Sequence, residues 1–231
     1  MARKPARRRV SASKSAAAPA TPASDRDKII AAFMALLAEK PIERIGFADI
    51  AEGAGVSLAT LRGEFPSTLA ILAAHVKDID RKVLAGGDAD MAEEAPRERL
   101  FDVLMRRLEA VAEHKAALRS LMRSAACNPC LALALNQLAV RSQQWMLAAA
   151  GIPASGPRGM VRAQGLALMF ARVLRIFVDD DDDNARTMAA LDRALASGQR
   201  WSGLLDDLCR FVPRRRSRRR HRDEGDEAVA V

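Results

Sequence analysis

The chain has 231 residues, of which 49% are hydrophobic and only 4% aromatic, and its formal net charge is +8. A core of this composition consists mainly of Ala, Leu, Met and Val, which favours helices over sheets. Three cysteines exclude a disulfide framework, and no apolar run approaches the ~20 residues of a membrane-spanning helix.

The positive charge lies in the two terminal segments. Residues 1–24 contain six cations and no acid, and residues 214–231 contain seven arginines against four acids. Such basic, low-complexity segments bury too little apolar surface to fold, and they favour nucleic acid or an anionic membrane surface. We expect a basic disordered arm over 1–24 and an Arg-rich disordered tail over 213–231. The arm has no secretory apolar segment, and although a transit peptide has a similar composition, we expect a cytoplasmic protein.

The first predicted helix begins at Ser24, because Ser24 and Asp27 form a capping-box pattern, and Pro41 ends it. Apolar residues recur within it at helical spacing: Ile29, Ile30, Phe33, Leu36 and Leu37.

A helix-turn-helix pattern follows. Helices at about 47–54 and 58–65 flank Gly55, which tolerates the positive φ of a tight turn, and Ser57, which can cap the second helix. A long helix then runs from beyond Pro66 to about Leu84, with an apolar stripe that requires a helical partner.

Every element beyond a linker at 87–95 is predicted to be helical, because no alternating strand pattern occurs. The segment 158–178 is apolar nearly all round, so we expect it to be buried or to lie in a subunit interface. The predicted fold is all-α, with a three-helix helix-turn-helix domain over 25–86 and a helical ligand-binding and dimerisation domain over 96–212.

The helix-turn-helix segment resembles that of the TetR family of bacterial transcriptional regulators. The resemblance is carried by Ile50-Ala51-Glu52, Ala54-Gly55-Val56-Ser57, Thr60-Leu61 and Phe65. It implies a ligand-responsive repressor whose third helix enters the major groove of double-stranded DNA and whose C-terminal domain dimerises and binds a small apolar ligand. The residues expected to contact DNA are Ser57, Leu58, Ala59, Thr60, Arg62, Thr68, Arg44, Arg7, Arg8 and Arg9.

The motif departs from the family at positions that usually contact the phosphates of DNA. Family members usually have Thr where this chain has Gly46, and Tyr where it has Arg62. They usually have His or Tyr in place of Glu64, and Lys in place of Thr68. Arg62 is the only strong base between residues 45 and 76, against three acids. Phosphate contacts dominate DNA affinity, so we expect the basic arm to supply most of the cations. Leu58 offers an apolar contact such as one to a thymine methyl group.

The second half also resembles the TetR-like accessory proteins of ubiquinone biosynthesis in mitochondria and alphaproteobacteria. The segments that carry this resemblance are 97–107, Trp145, and 179–183 followed by Thr187 and Leu191. It implies a lipid-binding pocket, a membrane-docking terminal helix and a hydroxylase partner. The alternative function is therefore that of a lipid-binding accessory protein that has lost operator binding.

Two further expectations concern the ligand cavity and the last helix. The residues expected to line the cavity are Met105, Leu108, Met122, Trp145, Met169 and Phe170. An apolar stripe at 201–211, followed at once by arginines, fits peripheral membrane contact through 198–220 or a dimer interface. Asp206 and Asp207 on the same helix favour the homodimer.

No nucleophile–base pair, phosphate loop or metal-ligand cluster occurs, so we expect no catalytic residue, cofactor or metal.

Cys127 and Cys130 have the spacing of a redox motif without its βαβ context, which favours two small residues at a helix break. The histidines are scattered. For the acidic run 179–183 we expect a solvated turn that caps the following helix, because calcium loops interleave glycine and a distant glutamate.

Overall fold

The computed structural model describes residues 24–87, 90–181 and 183–210, which form nine α-helices and no strand. These are α1 (Asp25–Glu39), α2 (Phe47–Ala54), α3 (Leu58–Glu64), α4 (Thr68–Ala85), α5 (Pro96–Ala110), α6 (Lys115–Cys127), α7 (Pro129–Ala149), α8 (Gly156–Phe177) and α9 (Ala185–Arg210). Short 3-10 turns occupy Ile42–Arg44, Asp90–Glu93 and Ala112–His114. The prediction of an all-α fold is confirmed.

The predicted basic arm, with Arg7, Arg8 and Arg9, and the Arg-rich tail lie outside the described residues. The side chains of α9 are described as far as Gly198. The apolar stripe at 201–211 and the membrane contact predicted for 198–220 therefore stay predictions.

The ends of the first helices follow from local residue types. Ser24 caps α1, because its Oγ accepts a hydrogen bond from the Asp27 amide at 3.2 Å while its own amide donates to the Asp27 carboxylate. Gly55 ends α2 with a φ of 64°, in the left-handed region. The Ser57 Oγ caps α3 by accepting a bond from the Thr60 amide at 3.0 Å. The predicted capping box, turn and cap are all confirmed.

Helices α4, α6 and α7 each contribute side chains to both of the two apolar cores. The first core contains the buried residues of α1–α3 together with Ile71 and Leu72 of α4, and it also takes Leu121 from α6. The second core contains Ile79 and Val83 from the other half of α4 together with residues of α5 and α7–α9, and Leu118 and Met122 of α6 pack against it. The predicted division between 86 and 96 follows a loop in the chain, but the packing crosses it.

A buried ion pair joins α4 to α5 within the second core. A guanidinium nitrogen of Arg107 donates to the Asp80 carboxylate, and both residues are about nine-tenths buried. The Ser142 hydroxyl of α7 donates to the same carboxylate oxygen at 2.7 Å. The guanidinium also lies 5.8 Å from the centre of the Phe170 ring of α8. One polar cluster therefore ties four helices together.

The acidic run before α9 is not simply a solvated turn. The Asp180 side chain is only 1% exposed, and its Oδ2 accepts hydrogen bonds from the amide and hydroxyl of the buried Thr187. These bonds lower the pKa of Asp180 below its ordinary value, with the Thr187 hydroxyl as the largest cause. Asp183 accepts from the Ala185 amide at 3.1 Å. The expected cap forms at Asp183, and Asp180 adds a second cap from inside the protein, because Thr187 lies on the buried face of α9.

Gly55 and Gly63 provide a matched pair for a stability measurement. A Cβ added to either residue would meet nothing within 4 Å, but only Gly55 has a positive φ. We expect Gly55→Ala to lower the free energy of unfolding by about 1–2 kcal/mol, because L-residues disfavour this conformation. Gly63→Ala should raise it by up to about 1 kcal/mol, because Gly63 lies inside a helix. Urea denaturation of both variants checks the signs, and two changes of equal sign would contradict the explanation.

Candidate nucleic-acid interface and ligand cavity

Helix α3 is anchored on one face and open on the other. Leu61 is 2% exposed, and it packs with Phe65 into the first core. Leu58, at the start of the helix, is 56% exposed despite being a large apolar side chain. Ser57, Ala59 and Arg62 are exposed as well, and Thr60 is half-buried. The fold therefore leaves the first turn of α3 accessible to a partner.

The other residues predicted to contact DNA lie on neighbouring elements. Arg44 is exposed in the 3-10 turn before α2, and Thr68 is half-buried as the first residue of α4. The Arg62 guanidinium lies near the α3–α4 connection, with its Nη1 3.4 Å from the Pro66 carbonyl oxygen.

Several cations of the N-terminal helices are already engaged by acids. Lys40 lies 2.5 Å from the Asp49 carboxylate, and Lys28 lies 2.8 Å from that of Asp25. The Lys40 ammonium, followed by the Gly46 amide, lowers the pKa of Asp49 below its ordinary value. Asp49 is thus ionised at neutral pH and offsets the charge of Lys40. These helices accordingly offer few uncompensated cations to a phosphate backbone.

A cavity of about 380 Å³ lies where the two cores meet. Its wall is mostly aliphatic and includes Leu37 of α1 and Leu72, Val76 and Ile79 of α4. The remaining wall comes from α5–α8 and the turn before α6. The polar residues of the whole cavity wall are His75, Arg107, His114, Asn136, Gln143 and Arg175. A molecule in this cavity would therefore contact both the helix-turn-helix domain and the C-terminal helices.

Only some of the residues predicted to line the cavity border it in the structure. Met122 and Phe170 line the cavity. Leu108 is buried in the second core, and Met105 and Met169 pack against that core. Trp145 is 61% exposed on α7. Helical spacing identifies an apolar face, but the neighbouring helices decide which of its residues border a void.

Sequence reasoning missed the contributions of α1 and α4 to the cavity, because their apolar stripes fit an ordinary core equally well. The contact between two of the scattered histidines also gives no signal in the sequence. The rings of His75 and His114 meet edge to face, with their centres 4.7 Å apart. Burial, and then the proximity of His114, lowers the pKa of His75 to about 4. His75 is therefore uncharged at neutral pH.

Acidification from pH 6.5 to about pH 4 should destabilise the protein through His75. The pKa of this group is lower in the folded state than the ordinary value of 6.5. The unfolded chain therefore binds more protons in this window, and stability that is present above pH 6.5 is lost as the pH falls. Thermal unfolding at several pH values should show a shallower dependence for His75→Gln than for the wild type. Identical profiles would contradict this origin.

The remaining candidate groups do not assemble into a site within the described part of the chain. No cluster of three or more His, Cys, Asp or Glu residues in that part could hold a metal ion. Cys127 and Cys130 carry free, exposed thiols on either side of the α6–α7 junction. Among the described helices, none is long and apolar enough to cross a membrane.

No protein-family model and no curated protein matches the sequence, whereas solved structures match the fold. The TetR transcriptional regulator from Nitrosomonas europaea ATCC 19718 is 21% identical, with a TM-score of 0.61, over 77% of this chain and 99% of that one. The TetR regulator from Rhodococcus sp. RHA1 is 22% identical, with a TM-score of 0.51, over 75% and 95% of the two chains. A TetR-family regulator from Streptomyces coelicolor is 16% identical, with a TM-score of 0.50, over 80% and 84%. The chain therefore has the fold of TetR-family transcriptional regulators, as the motif resemblance predicts.

Proposed function

We propose that this protein is a DNA-binding transcriptional regulator, a ligand-responsive repressor with α3 as its recognition helix. The observation that carries the proposal is the open first turn of α3, with Leu58 exposed while Leu61 anchors the helix in the core. An exposed helix N-terminus held rigidly after a tight turn has the geometry needed for the major groove. Leu58 supplies apolar contact to base edges, and Arg62 supplies charge.

The proposal includes a homodimer formed through α8. Val161 and Leu168 are 57% and 55% exposed on this helix, and Gly165 lies between them with open space around it. The spacing of 4 and 3 residues places all three on one face, as in a helix–helix seam. A second copy packed there would present two α3 helices to successive major grooves, about 34 Å apart.

Ligand control follows from the position of the cavity between the two cores. An occupant would touch Leu37 of α1 and Leu72 of α4, as well as residues of α6–α8. A ligand that fits only one arrangement of these helices shifts the population toward that arrangement. In the proposed dimer, such a shift changes the separation of the two recognition helices and hence the affinity for DNA.

The test is selection of genomic DNA fragments by the full chain at low salt, followed by affinity measurements on the selected sites. We expect Leu58→Ala to change the preferred base in each half-site while leaving the salt dependence unaltered, because Leu58 carries no charge. Leu133→Ala is the matched control, since Leu133 is 61% exposed on α7. Failure to retain any fragment at low salt would contradict the proposed function.

The second candidate function is lipid binding without DNA recognition. It is favoured by the mostly aliphatic cavity and by the small number of uncompensated cations near α3. Native mass spectrometry of the purified full chain distinguishes the candidates. An isoprenoid lipid retained by a protein that selects no DNA would support the accessory function instead.

A further inference from the structure

One polar side chain on the cavity wall lacks a partner. Gln143 of α7 is 1% exposed, and its Oε1 is buried without a hydrogen bond. Two other polar residues of the wall, Asn136 and Arg107, have hydrogen-bond partners within the protein. Asn136 and Gln164 exchange two amide hydrogen bonds of 3.0 and 2.9 Å, and Arg107 bonds to Asp80. A buried carbonyl oxygen is rarely left unpaired, because desolvation without a hydrogen bond is unfavourable.

The charges around the cavity favour an uncharged occupant. The guanidinium of Arg107 is balanced by the Asp80 carboxylate. His75 is neutral at physiological pH because it is largely buried. Arg175 is exposed on α8, so its charge is solvated. An ionised ligand would lose its hydration without gaining an uncompensated buried counter-charge.

We propose that the cavity binds an uncharged, mainly apolar molecule with one hydroxyl or N–H group, which donates a hydrogen bond to Gln143 Oε1. The inference rests on the proposed function, because it defines the chemical class of the regulator's ligand. Binding to the cavity is nevertheless measurable without DNA. An apolar cavity of roughly 150 Å³ suffices for benzene, so the larger cavity here admits a two-ring probe.

The test compares two neutral probes of similar shape, 2-naphthol and 2-methoxynaphthalene, by calorimetric titration of the full chain at neutral pH. Only 2-naphthol has a donor for Gln143. We expect the wild type to bind 2-naphthol about tenfold more tightly, since one satisfied hydrogen bond has roughly this effect. Gln143→Leu should reduce the ratio of the two affinities to about one, chiefly by improving the binding of the ether.

Gln144→Leu is the matched control. Gln144 is the adjacent residue of α7, half-buried and outside the cavity wall, with its Nε2 3.9 Å from the Met160 sulfur. This variant should keep the wild-type preference. If Gln143→Leu fails to fold, Gln143→Met serves the same purpose, because it keeps the unbranched shape and removes the carboxamide.

Three outcomes would overturn the inference: no binding of either probe, equal affinities in the wild type, or a preference that survives loss of the Gln143 carboxamide. Tighter binding of 2-naphthoate than of 2-naphthol would overturn the uncharged class. DNA selection is measured separately. If the probe preference is lost while DNA binding is retained, only the proposed ligand class is rejected. If the preference is retained but the protein binds no DNA, only the proposed regulator function is rejected.

Discussion

Removal of residues 2–14 is expected to weaken DNA binding about 100-fold or more at ~100 mM salt, irrespective of the DNA sequence. This segment holds six cations, whereas the stretch from 45 to 76 offers only Arg62 as a strong base. Each neutralised phosphate contributes about −0.9 to the slope of log affinity against log salt, so the slope should flatten by up to about 5. Affinity measured at several salt concentrations checks both values.

Two controls distinguish an effect of the arm on DNA binding from an effect of the net charge of the whole protein. Removal of residues 214–231 also deletes a net positive charge of +3, but it should flatten the salt dependence much less if the arm lies closer to the DNA. Replacement of the six arm cations by glutamine should reproduce the truncation, because charge and not chain length is responsible. An arm truncation that leaves affinity and slope unchanged would reject a DNA-binding role for the arm.

Substitution of Asp80 by alanine is expected to lower the free energy of unfolding by about 3–5 kcal/mol. The change leaves the buried guanidinium of Arg107 without its counter-charge and removes the acceptor of the Ser142 hydroxyl. Because this cluster ties α4 to the C-terminal helices, its loss also loosens α4, which contributes to both cores. Urea denaturation measures the effect.

A double variant distinguishes the desolvated charge from simple loss of packing. Asp80→Leu combined with Arg107→Met should recover most of the lost stability, because an apolar pair of similar volume often replaces a buried ion pair without cost. Asp25→Ala provides the exposed control, since the pair that it breaks with Lys28 is half-exposed and contributes only about 0–1 kcal/mol. Equal losses for Asp80→Ala and Asp25→Ala would contradict the proposed importance of burial.

Much of the fold follows from local signals in the chain. The capping box at Ser24, the left-handed Gly55 and the cap at Ser57 depend on residues within three or four positions of each other. Helical periodicity likewise depends on neighbours one turn apart. The bounds predicted for α2 agree with the structure, and the ends predicted for α3 and α4 lie within one residue of the observed ones.

The all-helical class, the helix-turn-helix and the placement of charge in the terminal segments can be predicted from the amino-acid sequence, because they depend on local residue type and spacing. Tertiary packing brings Asp80 to Arg107 and His75 to His114, and it leaves the buried Oε1 of Gln143, a residue of the cavity wall, without a hydrogen-bond partner. These contacts join residues far apart in the chain. Whether a polar side chain on a helix is solvated, paired or orphaned depends on which other helices pack against it, and periodicity within one helix carries no information about that.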